Sequence, residues 1–132
     1  SSLLKKHLVI PTKKKLTPNQ LSTGLFAWKV VKHTKSNAIV VAKNNKIISI
    51  SGGQTSRVDA TKIAFEKTEI PKGCVVASDA FFPFKDSIEK MAQYKIAAII
   101  QPGGSIRDRE VVESCNKNKI AMAFTGFRVF KH

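Results

Sequence analysis

The amino-acid sequence predicts an α/β domain of three layers, α/β/α, built on a mixed five-stranded sheet. From residue 74 onward, short and nearly all-apolar segments alternate with polar segments of helical spacing. This alternation is typical of parallel strands joined by helices, in a sheet covered on both faces. Earlier in the chain, two β-rich runs flank Asn44 and Asn45, which predicts an antiparallel hairpin. The chain has 132 residues, of which 42% are hydrophobic, so it is long enough for one domain with a core.

The first predicted helix covers residues 18–33. Thr17 is a suitable N-cap, and Pro18 stands at the first helical position, where its missing N–H does no harm. Apolar residues then recur at helical spacing, at Leu21, Leu25, Trp28 and Val31.

The rest of the chain divides into the hairpin and then alternating helices and strands. The hairpin strands are NAIVVAK and KIISIS, and a helix in TSRVDATKIAFEK follows the glycines at 52 and 53. The later predicted elements are, in order, strand GCVVASD, helix DSIEKMAQY, strand IAAIIQ, helix SIRDREVVESCNKNK and strand IAMAFT. We expect Asp86 or Ser87 to cap the helix in DSIEKMAQY.

The charge of the chain predicts anionic partners. Lysine and arginine number 23 against 9 acidic residues, which gives a formal net charge of +14. Most of the excess is scattered lysine, whereas base-reading proteins favour arginine and stacking aromatic residues. We therefore predict small anionic ligands and no nucleic acid, with a basic nucleic-acid-binding domain as an alternative.

Two further features predict a cytoplasmic protein without a membrane segment. No apolar run approaches the roughly 18 residues that a membrane helix requires. Cys74 and Cys115 lie in apolar segments without a second cysteine or a histidine at zinc spacing, so we expect reduced core thiols. The histidines, His7, His33 and His132, have no neighbouring residues that suggest a catalytic triad or a metal site.

The predicted loops that carry polar and glycine residues gather at one edge of the sheet. SDAFFPFKD, QPGGS and TGFR each follow a predicted parallel strand, and GGQTSR follows the hairpin. Ligands of open α/β sheets bind beyond the carboxyl ends of the strands. We therefore expect these loops to face one pocket.

Three side chains near these loops have chemistry that suits a ligand. Arg57 follows a glycine turn at a helix N-terminus, which attracts anions, although the segment also suits an ordinary turn. The amide of Asn37 can donate to and accept from a carboxamide or a ring, or it caps the preceding helix together with Ser36. Arg128 needs an anionic partner, either a ligand or a carboxylate such as Asp79 or Asp86.

Five motifs, KSNAIVVAK, GGQTSRV, SDAFFPF, QPGGSIRD and FRVFKH, together resemble one family. In this order they are similar to the C-terminal part of the AICAR transformylase region of the bifunctional AICAR transformylase/IMP cyclohydrolase family. The resemblance runs from Leu25 to His132. It implies a cytidine-deaminase-like fold, with residues 17–132 as the second transformylase subdomain and residues 1–16 as a basic N-terminal extension. The zinc signature of the deaminases is absent from the sequence, so no catalytic zinc is expected.

The resemblance also implies a reaction and a set of site residues. The family transfers a formyl group from 10-formyltetrahydrofolate to the amine of AICAR, in de novo IMP synthesis. The positions that match its nucleotide site are Asn37, which also has a catalytic role, Arg57, Phe81 and Arg128. Those that match its folate site are Val58, Pro83, Phe84, Asp86, Ser105 and Phe130. A potassium ion is expected near Val31, Thr34, Ser36, Asp79, Val129 and Lys131.

One part of the family's site has no counterpart in this sequence. The catalytic Lys-His pair belongs to a KHVSPAG-type motif of the first subdomain, and Lys32-His33 lies in a different motif. We therefore expect this chain to need a partner that carries the first subdomain, and family members are dimers. The alternative is a noncatalytic nucleotide- or folate-binding module.

Overall fold

A mixed sheet of five strands forms the middle layer of the protein. The structure is a computed structural model, and it describes residues 7–82 and 85–126. Within these ranges the strands are β1 (Ile39–Lys43), β2 (Lys46–Ser51), β3 (Val75–Ser78), β4 (Ala98–Gln101) and β5 (Ala121–Phe124). Their order across the sheet is β2-β1-β3-β4-β5. β1 is antiparallel to both of its neighbours, and β3, β4 and β5 are parallel, which confirms the predicted mixed sheet.

Helices cover both faces of this sheet. They are α1 (Pro18–Lys32), α2 (Arg57–Glu66), α3 (Lys85–Ala92) and α4 (Asp108–Lys117). α1 packs on one face, against a cluster that includes Val40 and Ile100. The other three helices pack on the opposite face, against residues such as Val41 and Ile99. Neighbouring strand residues thus point to opposite layers, and the predicted α/β/α arrangement is confirmed.

Local sequence signals set two of the predicted boundaries. The Thr17 hydroxyl accepts from Gln20 N at 3.1 Å, while the Gln20 side-chain oxygen accepts from Thr17 N at 2.9 Å. This reciprocal capping box starts α1 where it was predicted. In the hairpin, Asn44 and Asn45 have φ values of 50° and 61°. Asparagine tolerates this left-handed conformation, which a two-residue turn between twisted strands requires.

The predicted cap of α3 is wrong. This helix begins at Lys85, so Asp86 and Ser87 lie in its first turn. Ser87 is buried together with Ile88 and Met91 on the inner face of the helix. Asp86 and Ser87 are therefore helical residues, and neither is the cap.

The described part of the N-terminal segment packs against the sheet. Val9 and Phe124 exchange two backbone hydrogen bonds, of 3.0 and 2.7 Å. The hydroxyl of the buried Thr12 accepts from Met122 N at 2.9 Å. Leu16 contacts a small cluster at the amino ends of the parallel strands. This packing ties the chain before α1 to β5, and the domain boundary at residue 16 stays a prediction.

Both cysteines are buried and neither forms a disulfide, as predicted. Burial raises the pKa of Cys115 to about 12. Burial also raises the pKa of Cys74, and the nearby Lys43 ammonium partly offsets this effect. The thiols are therefore core groups at neutral pH. No helix in residues 7–82 and 85–126 combines the length and the hydropathy needed to cross a membrane.

Candidate functional site

The described parts of the loops predicted to gather at one edge of the sheet do so, and two of the four, after β3 and after β4, line the same cleft. Ile39, at the start of β1, pairs with Ser51 at the end of β2 and with Ser78 at the end of β3. The antiparallel β1 therefore begins at the edge of the sheet where β2 and the three parallel strands, β3, β4 and β5, end. A cleft of about 640 Å³ opens at this edge, a size that suits a small ligand. Its lining among the described residues is Trp28, Lys32, Thr34, Ser36, Asp79, Ala80, Phe81, Pro102, Gly103 and Gly104.

A buried ion pair lies beside the cleft. Arg57 Nη2 is 2.7 Å from Asp79 Oδ1, and the two side chains are only 6% and 10% exposed. The same Asp79 oxygen accepts from Ala38 N at 3.2 Å, and Asp79 Oδ2 accepts from the Ser36 hydroxyl at 2.5 Å. The pair therefore links the loop after β3 to the start of β1 and to the first turn of α2.

The side-chain amide of Asn37 is held from both ends. Arg57 Nη2 donates to Asn37 Oδ1 at 3.0 Å, and Asn37 Nδ2 donates to the carbonyl oxygen of Gln54 at 3.0 Å. α1 ends earlier, with His33 as its C-cap. Asn37 thus does not cap that helix, which was the alternative role that the sequence left open.

Phe81 and Phe82, the two described phenylalanines after β3, have opposite environments. Phe82 is fully buried in the core, whereas Phe81 is 41% exposed and lines the cleft. The backbone N–H of Phe82 donates to the side-chain oxygen of Gln101 at 2.9 Å, and Gln101 itself is fully buried. Phe82 and Gln101 therefore anchor the loop that presents Phe81.

Sequence reasoning did not single out Gln101. The available signal was a polar residue at the end of an otherwise apolar strand. Such a buried amide requires a hydrogen-bonding partner, and here that partner is the loop of the neighbouring strand.

The turn after β4 approaches an aromatic ring closely. Gly103 has φ +78°, and a Cβ placed there would lie 2.9 Å from Cγ of Phe124. Only glycine fits both this conformation and this space. Next to it, Gly104 N and Ser105 N donate to the two Asp108 oxygens at 2.7 and 3.2 Å. The glycine turn therefore forms one wall of the cleft and is secured to the start of α4.

Comparisons with known proteins place the chain in a family. The family model described as AICARFT/IMPCHase bienzyme matches residues 2–67, which is half of the chain. The chain belongs to the AICARFT/IMPCHase bienzyme family. It is 54% identical over 135 residues to the bifunctional purine biosynthesis protein PurH of Aquifex aeolicus, covering 99% of this chain and 27% of that protein. It is 57% identical over 126 residues to PurH of Acetivibrio thermocellus, covering 95% of this chain and 24% of that protein. The chain thus spans about a quarter of the length of these curated relatives.

The nucleotide positions inferred from the family resemblance are partly gathered at the cleft. Phe81 lines it, Arg57 is paired with the Asp79 that lines it, and Asn37 is hydrogen-bonded to Arg57. Arg128 lies outside the described residues. The nucleotide-binding roles of these residues stay predictions.

The folate positions of the family are less completely described. Val58 is 49% exposed in the first turn of α2, Asp86 is exposed in the first turn of α3, and Ser105 is half-buried before α4. None of these three is part of the cleft lining given above. Pro83, Phe84 and Phe130 lie outside the described residues. The folate-binding roles also stay predictions.

Four of the six residues predicted near potassium are described. Thr34, Ser36 and Asp79 line the cleft, and Val31 is buried in α1. Val129 and Lys131 lie outside the described residues, so the potassium ion stays a prediction. Among residues 7–82 and 85–126, no group of three His, Cys, Asp or Glu side chains is placed to hold a metal ion.

Proposed function

We propose that this chain forms one half of an AICAR formyltransferase site and acts in purine biosynthesis. The observation that supports this most directly is the cleft at the carboxyl edge of the sheet, which Phe81 and Asp79 line, with the Asn37 amide held by Arg57, the ion-pair partner of Asp79. Membership of the AICARFT/IMPCHase bienzyme family supports this reaction, and the relatives are named as purine biosynthesis proteins. Residues 17–132 then form the second transformylase subdomain of a cytoplasmic enzyme.

In the proposed reaction, the amine nitrogen of AICAR bonds to the formyl carbon of 10-formyltetrahydrofolate. The bond between that carbon and N10 of the folate breaks, and a proton leaves the amine and reaches N10. The amine is conjugated to the rest of AICAR and is a weak nucleophile. The rate therefore depends on the orientation of the two substrates and on proton transfer. Phe81 would stack on the nucleotide, and Asn37 would hold its orientation by hydrogen bonds.

Asn37 cannot take a proton, and the sequence holds no motif like the family's KHVSPAG. The groups that move the proton would therefore come from a partner that carries the first subdomain. A homodimer or such a partner completes the proposed site. The potassium ion supplies no step in this proposal.

Formyl transfer tests the proposal directly. The chain is mixed with AICAR and 10-formyltetrahydrofolate, first alone and then with a protein that carries the first subdomain. We expect no turnover from the chain alone and turnover with the partner. Turnover by the chain alone would show that its site is complete, and no gain with the partner together with no AICAR binding would overturn the proposal.

A matched pair of variants makes this assay specific. Asn37→Ala removes the amide at the cleft, whereas Gln93→Ala changes an exposed amide after α3, at the opposite edge of the sheet. We expect the first variant to lose activity and the second to keep it. AICAR binding without turnover in either mixture would instead favour the noncatalytic nucleotide-binding module, which the missing Lys-His motif also fits.

A further inference from the structure

The guanidinium of Arg57 is used mainly by the protein itself. Nη1 donates to the carbonyl oxygen of Ala38 at 2.8 Å, and Nη2 donates both to Asn37 Oδ1 and to Asp79 Oδ1. Its charge is balanced by Asp79, and its side chain is 6% exposed. A buried and neutralised arginine of this kind is a poor receptor for a phosphate group, because the ligand would compete with a carboxylate already in place.

The ion pair instead holds three consecutive residues in place. Asp79 accepts from Ser36 and from Ala38, on either side of Asn37. Arg57 donates to Ala38 and to Asn37 itself. The two charged side chains thus fix the segment before β1 along its whole length.

This network allows only one orientation of the Asn37 amide. The oxygen faces an arginine N–H, and the nitrogen faces the carbonyl oxygen of Gln54. A flipped amide would place donor against donor at Arg57 and acceptor against acceptor at Gln54, which is unfavourable in a partly buried site. One N–H and one lone pair of the amide remain for a ligand.

We propose that Asp79 is a positioning residue, which acts through Arg57 to present the Asn37 amide to the ligand in a single orientation. This role requires no contact between Asp79 and AICAR. It keeps the guanidinium turned so that one N–H of Nη2 serves the carboxylate and the other serves Asn37. Removing the carboxylate leaves a buried cation without its counter-charge, and Arg57 then no longer holds the amide in one place. The importance of this role for AICAR rests on the function proposed above.

Nuclear magnetic resonance of the ligand-free chain tests the orientation by itself. The Asn37 side-chain NH₂ signals are assigned by their loss in Asn37→Ala. In the wild-type chain we expect two well-separated signals whose protons exchange slowly with water. In Asp79→Asn we expect the difference between their chemical shifts to decrease and their protons to exchange at least about tenfold faster. A merely structural Asp79 would lower the melting temperature without changing these signals in the folded protein, and that result would overturn the proposal.

Two further variants keep the test decisive. If Asp79→Asn does not fold, Ser36→Ala removes only the contact to Asp79 Oδ2 and lies at an exposed position. We expect an intermediate increase in the exchange rate, and unchanged signals would count against the proposal. Glu113→Gln is the matched control, since it removes an exposed ion pair with Arg109 on α4 and should leave the Asn37 signals unchanged.

AICAR titration by calorimetry tests the consequence for binding. We expect Asp79→Asn to weaken binding about tenfold in the wild-type chain and less than about twofold in an Asn37→Ala background, because the effect passes through Asn37. Equal losses in both backgrounds would overturn the positioning role. If the wild-type chain neither binds AICAR nor gains turnover with the first-subdomain partner, the proposed function fails, while the NH₂ signals still decide whether Asp79 positions Asn37.

Discussion

The adjacent residues Phe81 and Phe82 provide a test that separates binding from stability. Phe82 is fully buried in the core, and Phe81 is 41% exposed at the cleft. The two substitutions, Phe81→Ala and Phe82→Ala, remove the same atoms one residue apart. Any difference between the variants therefore comes from the environment of each ring.

The expected free-energy changes follow from this burial. Phe82→Ala loses the full transfer free energy and leaves a cavity beneath the loop, so it should lower the free energy of unfolding by about 3–5 kcal/mol. Full burial of a phenylalanine contributes about 1.5–3 kcal/mol to stability. Because Phe81 is only partly buried, Phe81→Ala should lower the free energy of unfolding by only about 1–2 kcal/mol. Its place in the cleft predicts a separate loss of about tenfold in AICAR affinity, since stacking on a base contributes about 1–3 kcal/mol.

Urea denaturation and calorimetry measure the two effects. With an m-value of about 2 kcal/mol/M, Phe82→Ala should lower the urea midpoint by about 2 M and Phe81→Ala by less than about 1 M. AICAR titration of the folded Phe81→Ala protein should then show the weaker binding. If Phe81→Ala unfolds the domain, or lowers the midpoint as much as Phe82→Ala does, Phe81 is a core residue and the assignment of the cleft is wrong.

Three other predictions concern stability. Gly53→Ala and Gly103→Ala introduce a Cβ at similar φ values of +70° and +78°, but of the two only Gly103 lies against Phe124. In urea denaturation, the free energy of unfolding should fall by about 1 kcal/mol for Gly53→Ala and by about 2–4 kcal/mol for Gly103→Ala. Equal losses would contradict the close approach of Gly103 to Phe124. Because the pKa of Cys115 is raised to about 12, the unfolded thiol ionises first as the pH rises above about 9, so stability should fall there by up to about 1.4 kcal/mol per pH unit. The decline should be shallower in Cys115→Ala, and identical slopes would contradict burial of the thiol. Thr17→Ala should lower the free energy of unfolding by about 1 kcal/mol, measured in urea, and no change would show that the capping box is dispensable.

The fold was largely predictable because its signals are local. Strands β3, β4 and β5 are short apolar runs bounded by glycine, proline or polar residues, and such runs have few other structures open to them. The α1 cap at Thr17 and the turn at Asn44 and Asn45 also depend on neighbouring residues only. The start of α3 was mispredicted because two good capping residues were present and the core determined which residues became helical.

The position of the site in the fold was predictable, but most of its side-chain contacts were not. The loops were known to meet because the ends of the strands fix their position. The pairing of Arg57 with Asp79 joins residues 22 positions apart, and local sequence patterns do not specify such a partner. The sequence instead offered Asp79 as a partner for Arg128 or a cation, and Arg57 as a site for an anion. The side-chain contact of Gln101 with Phe82 was missed for the same reason.

The contacts of the N-terminal segment also bear on how the protein avoids aggregation. Among the described residues, β5 is the outermost strand on its side of the sheet, and the outward backbone N–H groups of Met122 and Phe124 are bonded to Thr12 and Val9. An open edge of this kind would accept a strand from another molecule and start intermolecular sheet growth. The segment from Val9 to Thr12 therefore covers this edge strand. A chain trimmed beyond Thr12 would leave a short, apolar edge strand exposed, and we expect it to self-associate.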